Sequence, residues 1–197
     1  MSRALFFFLF FLLFAFRLPA ALPPLQLMIS EEEIIERIEK AALQINEEYA
    51  GEPLVVVAVL KGSFLLLADL VKRLRLPLSV EFLKASSYGA RGTERGELIV
   101  DETRHLDLQG KNVLLIDDIF DSGMTLSTLV QRLQAHAPKT LKTLVLLFKK
   151  SPKATSYRPD FSLFEIDDRF VIGYGLDYKE RYRELPGIYV ADNLNCE

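Results

Sequence analysis

The sequence predicts an α/β fold: a central, mostly parallel sheet with helices on both faces, plus a small β-rich lobe. Three observations predict it. The runs "PLVVVAVL" (53–60), "GKNVLLID" (110–117) and "LKTLVLLF" (141–148) are apolar without alternation, as strands covered on both faces should be. Segments of helical period separate these strands, and strands alternating with helices imply a parallel sheet. Finally, the tail from Tyr157 to Val190 carries short β-type runs, "FSLF", "FVIGY" and "IYV", which predict a lobe at the sheet's C-terminal edge, where open α/β sheets place their ligands.

Taken in order, residues 1–24 form an apolar leader expected to lie outside the fold, with a single domain from 25 to 197. Thirteen consecutive apolar residues, Ala4 to Phe16, sit between Arg3 and Arg17, like the charged start and apolar middle of a secretory signal. They are too few for an ordinary span of about 20 residues. Translation starting further on, as at Met28, is the competing explanation, and membrane contact is expected only if the leader is retained. Ser30 and Glu33 make a capping box, and Ile34, Ile35, Ile38, Ala41, Ala42, Ile45 and Tyr49 recur at helical spacing until Gly51. The 53–60 strand is followed by "SFLLLADLVKRLRLP", a helix stopped near Pro77, and by "LSVEFLK", another strand. Residues 85–97 hold three glycines and no core-facing pattern, which predicts a mobile loop. "LIVD" reads as a short strand, and Thr125 to Ala137 as a helix with Leu126, Leu129, Val130 and Leu133 on one side.

The bulk numbers narrow the function. With 24 basic and 27 acidic residues and a net charge of −3, there is no whole-chain electrostatic footprint for nucleic acid, so a small-molecule ligand is expected. The one cysteine, Cys196, allows no internal disulfide and no Cys-based zinc site, which suits a reducing cytoplasm. His105 and His136 show no ligand spacing and read as surface residues.

The chemistry concentrates in "VLLIDDIFDSGMT" (113–125). A buried strand runs into Asp117 and Asp118, the chain turns through Asp121 to Gly123, and a helix begins near Thr125. Free backbone amides and a positive helix end then face one cup, and the hydroxyls of Ser122 and Thr125 add donors, so the cup suits a phosphate. The two carboxylates at its rim suit a sugar diol or a metal ion. Acids in a first helical turn are also common for dipole reasons alone. A P-loop reading fails because G-x-x-x-x-G-K-[ST] is absent from the chain, and the acid spacing does not match an EF-hand loop.

"VLLIDDIFDSGMTL" resembles the phosphoribosyl-pyrophosphate (PRPP) signature of type I phosphoribosyltransferases. The neighbouring segments "VAVLKGSFLLLADL", "LLFKKSP" and "FVIGYGLDYKERYRELP" fall in the order and spacing of the hypoxanthine-guanine phosphoribosyltransferases. The resemblance spans about residues 25 to 191. It implies the type I phosphoribosyltransferase fold, a dimer or tetramer, and purine salvage: transfer of phosphoribosyl from PRPP to hypoxanthine or guanine with Mg²⁺. By the same resemblance, Ser122, Gly123, Met124 and Thr125 surround the 5′-phosphate, and Asp117 and Asp118 hold the ribose hydroxyls. Lys61 and Gly62 form a pyrophosphate loop with a non-proline cis peptide, Arg183 pairs with pyrophosphate oxygens, and Asp177 coordinates the metal. Ser87 and Tyr88 belong to a lid. Asp121 is the candidate to take the N7 proton of the base.

On the base side, the resemblance implies that Lys149 donates to a 6-oxo group, which a 6-amino group cannot accept, while Phe170 stacks on the purine and the Val171 backbone reads its edge. From local pattern alone, Lys149 is a solvated strand-end lysine and Phe170 simple core. The chain departs from the family at Asp117, where Glu is usual, at Ser122, where Thr is common, and at the bulky Phe120. Two alternatives stay open: a same-fold transferase for xanthine or uracil, and a PRPP-sensing regulator without catalysis.

Overall fold

A computed structural model describes residues 25–87, 98–100, 103–150 and 155–192. The leader, Tyr88 and the predicted loop from 88 onward lie outside the described residues. The chain starts with strand β1 (Gln26–Ile29) and helix α1 (Glu31–Tyr49). The predicted capping box opens α1: the Ser30 amide donates to Glu33 Oε2 at 2.8 Å and the Glu33 amide to Ser30 Oγ at 3.3 Å, an arrangement worth about 1 kcal/mol. Ala50 ends it in the left-handed region, φ 47°, with its amide bonded to Asn46 O.

There follow β2 (Leu54–Leu60), α2 (Phe64–Val71), β3 (Leu78–Ser87), β4 (Leu98–Val100), β5 (Asn112–Phe120), α3 (Met124–Gln134), β6 (Thr140–Lys149) and β7 (Phe161–Ile166). The chain closes with β8 (Val171–Ile172) and β9 (Ile188–Val190). The main sheet has the order β4-β3-β2-β5-β6-β7, parallel throughout except for the edge pair β3–β4. Because β2 is covered on both faces, its side chains divide between two cores. Leu54, Val56 and Ala58 pack with α1 and α2, while Val55, Val57 and Val59 pack with Leu126, Leu129 and Leu133 of α3. This division is why the strand reads as an unbroken apolar run.

Several local expectations change. Residues 85–87, expected in the mobile loop, continue strand β3 to Ser87, and the strand expected to end at Asp117 runs on to Phe120. The helix after β2 ends at Val71 rather than near Pro77. Helix α3 begins one residue earlier than expected, at Met124, and ends at Gln134 rather than Ala137. "FSLF" does not join the lobe: as β7 it completes the main sheet beside β6, pairing Leu144 with Phe161 and Lys149 with Ile166. The lobe is instead a three-stranded antiparallel sheet, β1-β9-β8, in which the chain's first described strand pairs with its last. A partly buried hydrogen bond ties the lobe to the main domain, with Tyr174 Oη donating to Asp69 Oδ2 of α2 at 2.7 Å. Burial and that carboxylate push the Tyr174 hydroxyl far above its usual range, so it stays a donor. No helix among the described residues is long and apolar enough to cross a membrane.

Candidate active site

Parallel strands carry their chain reversals to one end, and the C-terminal ends of β2, β5 and β6 meet the lobe there. At the end of β5 the chain turns through Asp121 and Ser122 to Gly123, the N-cap of α3, at φ 77°. A side chain at Gly123 would meet the Phe120 ring at 2.3 Å and Thr155 Oγ1 at 2.6 Å. Glycine is therefore required by both backbone angle and space. The Thr155 amide braces the turn from outside, donating to Ser122 O at 2.8 Å. No side chain caps α3 at Gly123, and Met124 N reaches Ser122 Oγ only at 3.5 Å. The first amides of the helix thus lack intrahelical partners and face the cup with the positive end of the helix dipole, the arrangement that binds phosphate.

Asp117 is buried at 5% exposure and accepts from the Asp118 amide at 3.0 Å. Burial, reinforced by the neighbouring Asp118 charge, pushes the Asp117 carboxyl well above the usual range. Burial raises Asp118 as well, while its hydrogen bonds and the Arg183 charge pull it down. Two adjacent carboxylates held this way favour a ligand that brings hydroxyl donors or positive charge. They also destabilise the empty protein. Because the folded-state pKa of Asp117 lies above the unfolded one, the native protein binds more protons than the unfolded chain does. This group therefore favours folding at low pH and opposes it increasingly as pH rises from the ordinary Asp range towards the raised value. Asp117→Asn is expected to raise Tm by about 2–4 °C at neutral pH, with a gain that shrinks on acidification, and to weaken PRPP binding. Calorimetric scans across pH check this; a lower or pH-independent Tm would contradict it.

The reversal after β2 lies against this pair. The Leu60–Lys61 peptide is cis. A Cβ on Gly62 would sit 1.6 Å from Asp118 Oδ2, and one on Gly175 would sit 1.9 Å from Gly62 O. The backbone of the turn after β2 therefore packs on the Asp118 side chain on one side and on the lobe backbone at Gly175 on the other, with no room for a Cβ at either glycine. Lys61 Nζ pairs with Glu180 Oε2 of the lobe at 2.8 Å, both side chains being exposed. Such a pair is worth about 0–1 kcal/mol, so Lys61 can exchange it for phosphate oxygens at little cost. Arg183 anchors the lobe turn: Nη1 donates to Gly175 O at 2.8 Å and Nη2 pairs with Asp177 Oδ1 at 2.7 Å. Its buried Nε has no hydrogen-bond partner among the described residues. Asp177 also accepts the Glu180 amide at 2.9 Å.

At the end of β6, Lys149 is mostly buried, its side chain 13% exposed, and its ammonium lies 3.9 Å from Asp121 Oδ1 and 3.5 Å from Asp168 Oδ1. Below it, Phe148 stacks on Phe120 with ring centroids 5.0 Å apart, so β5 and β6 deliver Asp121 and Lys149 from a rigid aromatic floor. Phe170 meets the Tyr178 ring edge-on at 5.9 Å, and Val171 opens β8 with a buried side chain.

Contacts join several of the predicted residues at the C-terminal ends of the parallel strands: Gly62 lies against Asp118, Arg183 holds Asp177, and Lys149 faces Asp121. Lys61 adjoins Gly62, Asp117 adjoins Asp118, and Ser122, Gly123, Met124 and Thr125 lie on the turn into α3, while Phe170 and Val171 stand where the chain enters β8. Ser87 is the last residue of β3, and Tyr88 is outside the described residues. Sequence reasoning missed Asp168, Glu180, Thr155, Gly175 and the Arg169–Asp192 pair. Their partners lie up to 119 residues away, a separation for which no local pattern gives a signal.

Comparisons with known proteins agree on the family. Residues 27–179 match the phosphoribosyl transferase domain family. The chain is 41% identical over 170 residues to the hypoxanthine-guanine phosphoribosyltransferase of Aquifex aeolicus, covering 86% of this chain and 96% of that protein. It is 39% identical over 165 residues to the Bacillus subtilis protein of the same name, covering 84% and 92%. Among solved structures, a Bacillus anthracis hypoxanthine-guanine phosphoribosyltransferase with HEPES in its active site superposes with a TM-score of 0.78 at 38% identity, covering 84% of this chain and 98% of that one. The Trypanosoma cruzi hypoxanthine phosphoribosyltransferase in complex with its product IMP gives 0.76 at 38% identity, covering 84% and 92%.

Proposed function

The chain belongs to the phosphoribosyl transferase family, among the hypoxanthine-guanine phosphoribosyltransferases, and from that premise we propose that it salvages purines by joining hypoxanthine or guanine to PRPP. One observation carries the reading. A lysine ammonium and a carboxylate, Lys149 and Asp121, stand 3.9 Å apart at the end of the strand pair that carries the phosphate turn. The 6-oxo group and N7 are neighbours on one edge of a purine. A donor for the first and a proton acceptor for the second are what a 6-oxopurine transferase needs there.

In this reading the amides of the Ser122–Thr125 turn take the 5′-phosphate, and Asp117 and Asp118 take the ribose hydroxyls. Lys61, Gly62 and Arg183 face the pyrophosphate. The bond from C1′ to the pyrophosphate oxygen breaks and a bond from N9 to C1′ forms, with positive charge building on the ribose. Asp121 accepts the N7 proton as the new bond forms. Lys149 holds the 6-oxo group, and Phe170 and Val171 orient the ring. The Ser87–Tyr88 segment serves as the lid that excludes water.

Magnesium fits Asp177 by donor chemistry: its carboxylate offers oxygen, and this ion needs just one or two protein carboxylates when phosphates and water complete its shell. Among the described residues no group of three or more acids or histidines could cage a metal by itself. When bound with PRPP it supplies charge neutralisation of the departing pyrophosphate. Asp177 would hold it, on the lobe turn that Arg183 fastens. The same proposal includes a dimer or tetramer, for which exposed Phe64, Val80 and Phe82 offer apolar surface; light scattering tests it. It also includes a cytoplasmic location, supported by the cysteine usage and tested by cell fractionation.

A substrate panel tests the reaction. With PRPP and Mg²⁺, release of pyrophosphate is expected with hypoxanthine and guanine and not with adenine or uracil. Binding of PRPP without turnover of any base would make the protein a sensor instead.

A further inference from the structure

Resting on that reading, we propose that Asp192, together with Arg169, is a positioning residue for the purine, clamping the segment that carries Phe170 and so fixing the ring on which the base stacks. The clamp is visible in four contacts. The Ala191 amide donates to Phe170 O at 2.9 Å, and the Phe170 amide donates to Asp192 Oδ1 at 3.0 Å. Arg169 Nε donates to Asp192 Oδ2 at 2.6 Å, and Arg169 Nη2 lies 2.5 Å from the same oxygen. Both backbone groups of Phe170 are therefore held by two consecutive residues just past β9, and one carboxylate ties the preceding side chain to the same point.

The Phe170 ring is only partly buried and meets Tyr178 through an edge contact, which constrains tilt more than position. Charge-assisted hydrogen bonds are roughly twice as strong as neutral ones. The Arg169 guanidinium, then the Phe170 amide, hold the Asp192 carboxyl below the usual range, so it remains an anion at working pH. The Arg169 and Asp192 side chains are 44% and 43% exposed, and such a pair adds little to global stability. Its effect falls on geometry: where the aromatic platform stands relative to Lys149 and Val171.

Steady-state kinetics with PRPP and hypoxanthine test the clamp. Asp192→Ala is expected to raise KM for hypoxanthine roughly tenfold while KM for PRPP stays within about twofold. Tm should not move appreciably. Asp192→Asn keeps an acceptor for the Phe170 amide and should recover KM to within about threefold of wild type. Should Asp192→Ala fail to fold, Arg169→Ala provides the same comparison from a surface side chain, with a several-fold rise in purine KM. An unchanged purine KM, or equal rises for both substrates together with a fall in Tm, would overturn the clamp. A wild-type protein that turns over no 6-oxopurine would overturn the transferase reading, and the clamp with it.

Discussion

Asp121→Asn is expected to lower kcat for hypoxanthine by about 10²-fold or more, the size of a general-base contribution, while PRPP still binds. Asparagine preserves the shape of the side chain, so the turn from β5 into α3 and the Phe120–Phe148 floor beneath it should remain. What it loses is the ability to accept the N7 proton. The side chain is 60% exposed, so stability should change by no more than about 0.5 kcal/mol. In the proposed binding mode PRPP is held by the amides of Ser122 to Thr125, by Asp117 and Asp118, and by Lys61, Gly62 and Arg183, none of which is altered. The expected pattern is therefore a collapse of kcat with a near-normal calorimetric Kd for PRPP. A variant with wild-type turnover would remove Asp121 from the proton transfer; a parallel loss of PRPP affinity would mean that the turn itself had moved.

That pattern bears on what could be read before the structure. The turn from β5 into α3 was legible because it is local: strand, acids, turn glycine and helix start all fall within residues 113–125, and each has its own physical signature. The buried strands were legible for a similar reason, since two covered faces leave only an apolar run. Strand β1 was not, because Gln26–Ile29 gains its identity from pairing with β9 near the other end of the chain. "FSLF" shows the converse limit. A short β-type run is equally compatible with a lobe and with a sheet edge, and only the vacancy beside β6 decides where it goes. Lys149 looked like any strand-end lysine; its meaning comes from burial and from Asp121 3.9 Å away, neither of which its neighbours in sequence encode. The Asp192 clamp depends on a contact with residues more than twenty positions earlier and left no local trace.

Lys149 is where position adds most to the local sequence, and Lys149→Ala should cost about 10²-fold in kcat/KM for hypoxanthine. A hydrogen bond to a charged group is worth about 1.5–3 kcal/mol, and each 1.4 kcal/mol is a factor of ten. Truncation would also leave the 6-oxo group without a donor in a partly closed site, beside the carboxylates of Asp121 and Asp168. Two like charges would then face an electron-rich carbonyl, so the loss should be at least that of the bond itself. PRPP affinity should change little, because Lys149 stands on β6, two strands across the sheet from the Lys61–Gly62 turn after β2, with β5 between them. The loss should also differ by base: adenine, which presents an amino group and cannot accept from lysine, gains no such bond in the wild-type protein and loses none in the variant. The ratio of hypoxanthine to adenine use should therefore fall along with hypoxanthine turnover. Equal losses for PRPP binding and base use would instead show that Lys149 holds the strand end together, and the basis for choosing a 6-oxopurine would have to be sought in the lobe.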